Sequence, residues 1–168
     1  KAGLEGKQMR TALLEALNQD ASLEADADAG LGIYNYYADV LSPVIKLFRF
    51  FLLIPGGDRV KGLDQLRTAS EKATLLVTES KTELARILSL RENRPADAFA
   101  LFQRLADQYS ENALFSLSAA NQAERLGKKE AAGDYARKAM LAARRMDDVC
   151  RARLEPASQE ALDRLTAK

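Results

Sequence analysis

The chain has 168 residues, 47% hydrophobic and 29% charged, a balance that fits a compact soluble domain and excludes disorder. A formal net charge of +1 argues against a dedicated nucleic-acid binder, which carries a strong basic surplus. Histidine is absent and Cys150 is the only cysteine, so imidazole chemistry, a histidine metal ligand and an internal disulfide are excluded.

From Leu4 to Leu17, the residues Met9, Leu13, Ala16 and Leu17 share one side and predict a first amphipathic helix. Ser22 is expected to cap a second, which runs to about Leu41 and carries Leu31, Gly32, Tyr34, Tyr36 and Tyr37. Pro43 suits the first turn of a third helix, which holds the most apolar run in the chain, Val44 to Ile54. Pro55-Gly56-Gly57 breaks it, and Asp58 is placed to cap a fourth over about Arg59 to Lys72. A fifth covers about Thr78 to Leu90, Arg91 to Arg94 form a turn, and Pro95 opens a sixth that ends near Tyr109. Asn112 to Leu126 forms a seventh, stopped by Gly127, and Lys129 to Met146 an eighth. Past Pro156, a short last helix is expected from Ser158 to Leu165. No stretch alternates as a strand does, so the fold class reads as all-α.

Two of these segments superpose at an offset of 34 residues: Ala98, Phe102 and Leu105 fall on Ala132, Ala136 and Ala139. Small residues recur as pairs in the preceding helices, Ala119-Ala120, Leu84-Ala85 and Leu31-Gly32, where helices must approach closely. A strict 34-residue register would set Arg86 opposite Ala120, so the upstream hairpin needs a one-residue shift. On these residues the chain resembles the tetratricopeptide repeat (TPR) family, most clearly over 78–111 and 113–146. The segment from Gly32-Ile33-Tyr34-Asn35-Tyr36-Tyr37 through Pro55-Gly56-Gly57-Asp58-Arg59 and Gly62-Leu63 resembles an element of uncharacterised bacterial tetratricopeptide proteins, many of them apparently exported. A fainter similarity reaches eukaryotic tetratricopeptide proteins implicated in clearing inclusion bodies at lipid droplets. The resemblance implies an α-α superhelix, a solenoid of antiparallel hairpins forming one domain over 1–146 with a C-terminal capping segment at 147–168. It also implies a scaffold rather than a reaction, and leans towards an exported compartment. An antiparallel helical bundle satisfies the same periodicity.

The family resemblance places the partner-facing positions on the first helix of each hairpin: Tyr36, Tyr37, Glu79, Arg86, Asn121, Glu124 and Arg125. Their mixed signs point to a polar groove for a protein or peptide partner. The tyrosines have a second role open to them, packing against the Phe-rich helix. That helix, with Lys46 and Arg49 inside it, is too short to cross a bilayer. It is expected to be buried; the alternative is that Phe48, Phe51 and Leu52 meet a lipid surface or a partner.

No constellation reads as catalytic, as a metal site or as a cofactor site. Pro55-Gly56-Gly57-Asp58-Arg59 lacks the spaced glycines and Gly-Lys-Ser/Thr ending of a phosphate loop. Arg151 beside Cys150 is of a kind that lowers a thiol pKa, yet an isolated cysteine reads as structural. Charge is unevenly distributed. Thr11 to Ile45 holds six acids and no base, whereas Arg125 to Arg153 holds nine bases and four acids. Two solvated faces account for this; attraction between neighbouring copies is the other reading. The pairs Arg137-Lys138 and Arg144-Arg145 recur on one side of the eighth helix, where solvation outweighs nucleic-acid binding as an explanation. A first residue of Lys rather than Met reads as a processed product or an excised fragment.

Overall fold

The computed structural model describes residues 2–41, 53 and 55–166, and every regular element among them is helical. The expected Phe-rich helix, with Phe48, Phe51 and Leu52, lies outside the described residues. The chain divides into two compact units, Lys1–Leu84 and Ala85–Lys168.

The first unit holds α1 (Ala2–Gln19), a 3-10 turn (Ala21–Leu23), α2 (Glu24–Asp39), α3 (Arg59–Lys72) and the first half of α4 (Val77–Leu90). Helix starts need acceptors for their unpaired N–H groups, and aspartates supply them here. The cap expected of Ser22 on α2 is not made, since α2 follows Leu23 with no side-chain cap; Asp20 instead caps the 3-10 turn, its carboxylate accepting from the Ser22 N–H at 2.9 Å. Asp58 caps α3 as expected, accepting from the Lys61 N–H at 2.9 Å, and Asp39 accepts from the Arg59 N–H at 3.0 Å. The start of α4 is capped from another helix. Asp26 on α2 accepts from the backbone N–H groups of Thr74, Leu75 and Leu76 at 3.1, 2.8 and 2.9 Å. Partial burial pushes the Asp26 carboxyl up, but the three N–H donors outweigh it and hold the group below the ordinary carboxylate range.

Tight packing joins α2 to α3. Gly32 and Gly62 face each other at the crossing, flanked by Tyr36 and Leu66, both fully buried. A polar ladder runs alongside: Asn35 donates to Gln65 at 2.6 Å, and Gln65 donates to Asp28 at 2.8 Å. The Tyr34 hydroxyl donates to the Pro55 carbonyl at 2.6 Å and ties the chain leading into α3 back onto α2. The acidic stretch from Thr11 to Ile45 therefore has a local cause. Asp20, Asp26, Asp28 and Asp39 are hydrogen-bond acceptors in the fold of this unit.

The second unit holds the rest of α4, then α5 (Pro95–Gln108), α6 (Ala113–Arg125), α7 (Lys129–Ala143) and α8 (Asp148–Thr166). From α5 onward each helix packs on the next, and α8 packs on α6 as well as on α7. The residues superposed by the 34-residue offset, Ala98, Phe102, Leu105, Ala132, Ala136 and Ala139, are all buried. The register shift also holds, with Ala85 inside and Arg86 exposed. Gly127 ends α6 at φ +69, and the Lys128 N–H reaches back to the Ala123 carbonyl at 2.9 Å, closing the helix end.

The last helix differs from expectation. It begins at Asp148, ten residues before Ser158, because Asp147 caps it by accepting from the Val149 and Cys150 N–H groups, both at 3.0 Å. Pro156 sits inside it. Proline there removes the bond to the Ala152 carbonyl and crowds that carbonyl, but both residues are exposed, so the carbonyl can tilt outward to water. Asp147 also hydrogen-bonds the Cys150 thiol and pushes its pKa up, the opposite of what a neighbouring arginine suggests. Arg151 is paired with Asp148 instead.

Candidate partner-binding surface

Two helices carry a stripe of exposed or half-buried side chains at the same spacing. On α4 these are Glu79, Glu83, Arg86 and Leu90, and on α6 they are Leu114, Ser118, Asn121 and Arg125. Each set follows i, i+4, i+7, i+11, which places it along one face of a helix. The other sides of these helices are buried, through Leu84, Ala85, Ile87 and Leu88 on α4 and Phe115, Ala119, Ala120 and Ala123 on α6. Of the sequence-derived candidates, Glu79, Arg86, Asn121 and Arg125 fall on these stripes.

Several of the candidates also hold the fold together. Arg125 reaches from α6 to the end of α4. Its guanidinium donates to the Ser89 carbonyl, the Ser89 hydroxyl, Gln122 and Asn93, each at 3.1 Å. Asn93 adopts φ +50 in the turn that follows α4, a conformation asparagine tolerates better than most residues. Arg125 thus satisfies a carbonyl that the last turn of α4 leaves without an internal donor. Two helices later the pattern recurs. Arg164 of α8 donates to Asn121 at 3.2 Å and to Glu124 at 3.0 Å, and pairs with Glu160 within its own helix. The hydrogen bonds that Arg164 donates to Glu124 are the main reason that its pKa is raised.

In the first unit Tyr37 is half-buried and its hydroxyl donates to Glu83 at 2.8 Å, linking α2 to α4. Tyr36 is 1% exposed and lies edge-on to Tyr37, with ring centres 5.3 Å apart. Its ring is core rather than surface, because the close crossing of α2 and α3 encloses it. The distinctive residues Gly32, Tyr34, Pro55, Asp58 and Gly62 have the packing and capping roles already described.

The basic pairs on α7 and just past its end carry their own counter-charges. Arg137 pairs with Asp134, Lys138 with Asp107, Arg144 with Glu155 and Arg145 with Glu111. Among the described residues no group of three or more Cys, Asp or Glu is arranged to hold a metal ion, and no helix is long and apolar enough to cross a membrane.

Reading from sequence misses Arg164, Leu114 and Ser118. A signal for Arg164 was present in Asp147-Asp148 ahead of Val149, a helix start that carries α8 across Pro156. Leu114 and Ser118 follow from stepping back along α6 from Asn121 at helical spacing. No family model matches the chain, and no curated protein and no solved structure matches it.

Proposed function

We propose that the chain is a non-enzymatic protein-interaction module of tetratricopeptide type, an assembly scaffold whose partner segment lies along the first helices of its hairpins. In the second unit that surface comprises Arg86 and Leu90 of α4 with Leu114, Ser118, Asn121 and Arg125 of α6. The repeated outward stripe carries the reading. Leu114 is 51% exposed and Leu90 71%, so apolar side chains stand among polar ones, the mixture that interfaces use. Arg125 adds a cation whose hydrogen-bond acceptors are all uncharged. Because α4 and α6 are fixed to each other through Arg125, a partner meets a preformed surface and loses less entropy in ordering it.

A lipid-associated role for Phe48, Phe51 and Leu52 draws no support from the described residues, since those three lie outside them.

Site-specific photocrosslinking tests the reading. A photoreactive residue at Ser118 is expected to capture one reproducible protein from native extract, and one at Arg137, on the exposed side of α7, is not. Equal capture at both positions, or none at Ser118, contradicts it.

A further inference from the structure

The last helix is held differently from α5, α6 and α7 of the same unit. Of the 19 residues of α8 only Ser158 and Ala161 are fully buried, whereas α6 buries eight of its 13. Its apolar anchor is the half-buried Leu154, which with Met146 packs on Ala113, Ala142 and Ala143. Polar contacts do much of the remaining work: Glu155 accepts from Arg144 at 2.7 Å, and Arg164 grips Asn121 and Glu124. The Arg144 and Arg164 side chains are 55% and 42% exposed, so both pairs are open to screening by salt. Pro156 removes one backbone hydrogen bond from the middle of the helix. Few buried contacts and many exposed polar ones mark an element that opens before the rest of its unit.

We propose that α8 is a displaceable cap, latched by Arg164 onto Asn121 and Glu124, and that its release uncovers those two side chains on α6. The consequence for binding rests on the reading of α6 as the partner surface: a segment that uses Asn121 or Glu124 competes with α8 for them. Binding and cap release are then coupled, each favouring the other.

Hydrogen exchange followed by mass spectrometry on the full chain tests the latch with no partner present. Residues 158–166 are expected to exchange faster than α6 and α7. Arg164→Ala speeds them a further two- to five-fold or so, the range for losing an exposed ion pair, and leaves α5 to α7 unchanged. Alanine favours helix at least as strongly as arginine, so a weakened helix cannot be the cause. Glu124→Gln, altering the α6 side of the pair, gives the same acceleration. Salt at about 1 M speeds α8 in the unaltered protein, and by less in Arg164→Ala. The proposal is overturned if α8 exchanges in step with α6 and α7, or if its rate is the same in the unaltered protein and both variants. Such a result removes the latch and leaves the partner surface to its own crosslinking test.

Discussion

Gly32 on α2 and Gly62 on α3 press their backbones together so closely that neither position has room for a methyl group. A Cβ on Gly32 would lie 2.9 Å from the Gly62 carbonyl oxygen, and one on Gly62 would lie 2.8 Å from the Gly32 carbonyl oxygen and 2.5 Å from the Tyr36 nitrogen. The obstacles are backbone atoms of a packed helix, which cannot swing aside as a side chain does. This pair sets the spacing that lets Tyr36 and Leu66 be fully buried on either side.

Gly62→Ala is therefore expected to destabilise the protein, although alanine is the better helix former by about 1 kcal/mol. Overpacking against fixed backbone costs about 1–3 kcal/mol, and here it wins. Urea denaturation should show a lowered midpoint.

Gly133→Ala is the contrasting case. Gly133 is buried on α7, but its added methyl would meet only the far end of the Arg137 side chain, at 3.3 Å, and that guanidinium can move. The helix-propensity gain should survive, raising stability by up to about 1 kcal/mol in the same urea assay.

Asp26 gives a pH dependence of known sign. Its folded-state pKa lies below its unfolded value, so its contribution is present above the unfolded pKa and is lost as pH falls through the folded one. Asp26→Asn should lower the thermal midpoint at neutral pH, and the gap between the two proteins should narrow as the solution is acidified through the carboxylate range. A gap that stays constant with pH contradicts the capping role.

Asp28, two residues on, behaves oppositely. Burial is the largest effect on it and raises its pKa, so keeping it ionised opposes folding as pH rises. Asp28→Asn keeps an oxygen to accept from Gln65, and it should raise the thermal midpoint at neutral pH and not at low pH.

Helix positions were legible in the sequence wherever a proline, a glycine or an aspartate marks an end. Pro95, Gly127 and Asp58 each do what their chemistry suggests, and Asp147 would have revealed the true start of α8. Burial was legible where small residues recur at a fixed offset, as with Ala98 and Ala132. Long-range pairing was not. Nothing near Asp26 in the sequence shows that it caps α4, some fifty residues away, or that Arg164 reaches Asn121 and Glu124. Tyr36 and Tyr37 illustrate the same gap. They are adjacent in sequence and alike in chemistry, yet the α2–α3 crossing buries one and leaves the other half-exposed, bonded to Glu83.

The claim that the outward stripe of α6 binds a partner is tested most directly by two leucines of like exposure on different helices. Leu114 of α6 is 51% exposed and Leu141 of α7 58%, so an aspartate at either position leaves the core intact. The measurement is the affinity of the protein captured at Ser118 for Leu114→Asp and for Leu141→Asp. The expected result is a loss of tenfold or more, on the order of 1.4 kcal/mol, for Leu114→Asp and unchanged binding for Leu141→Asp. Unchanged binding for Leu114→Asp, or a loss confined to Leu141→Asp, would contradict the claim and move the partner surface off α6.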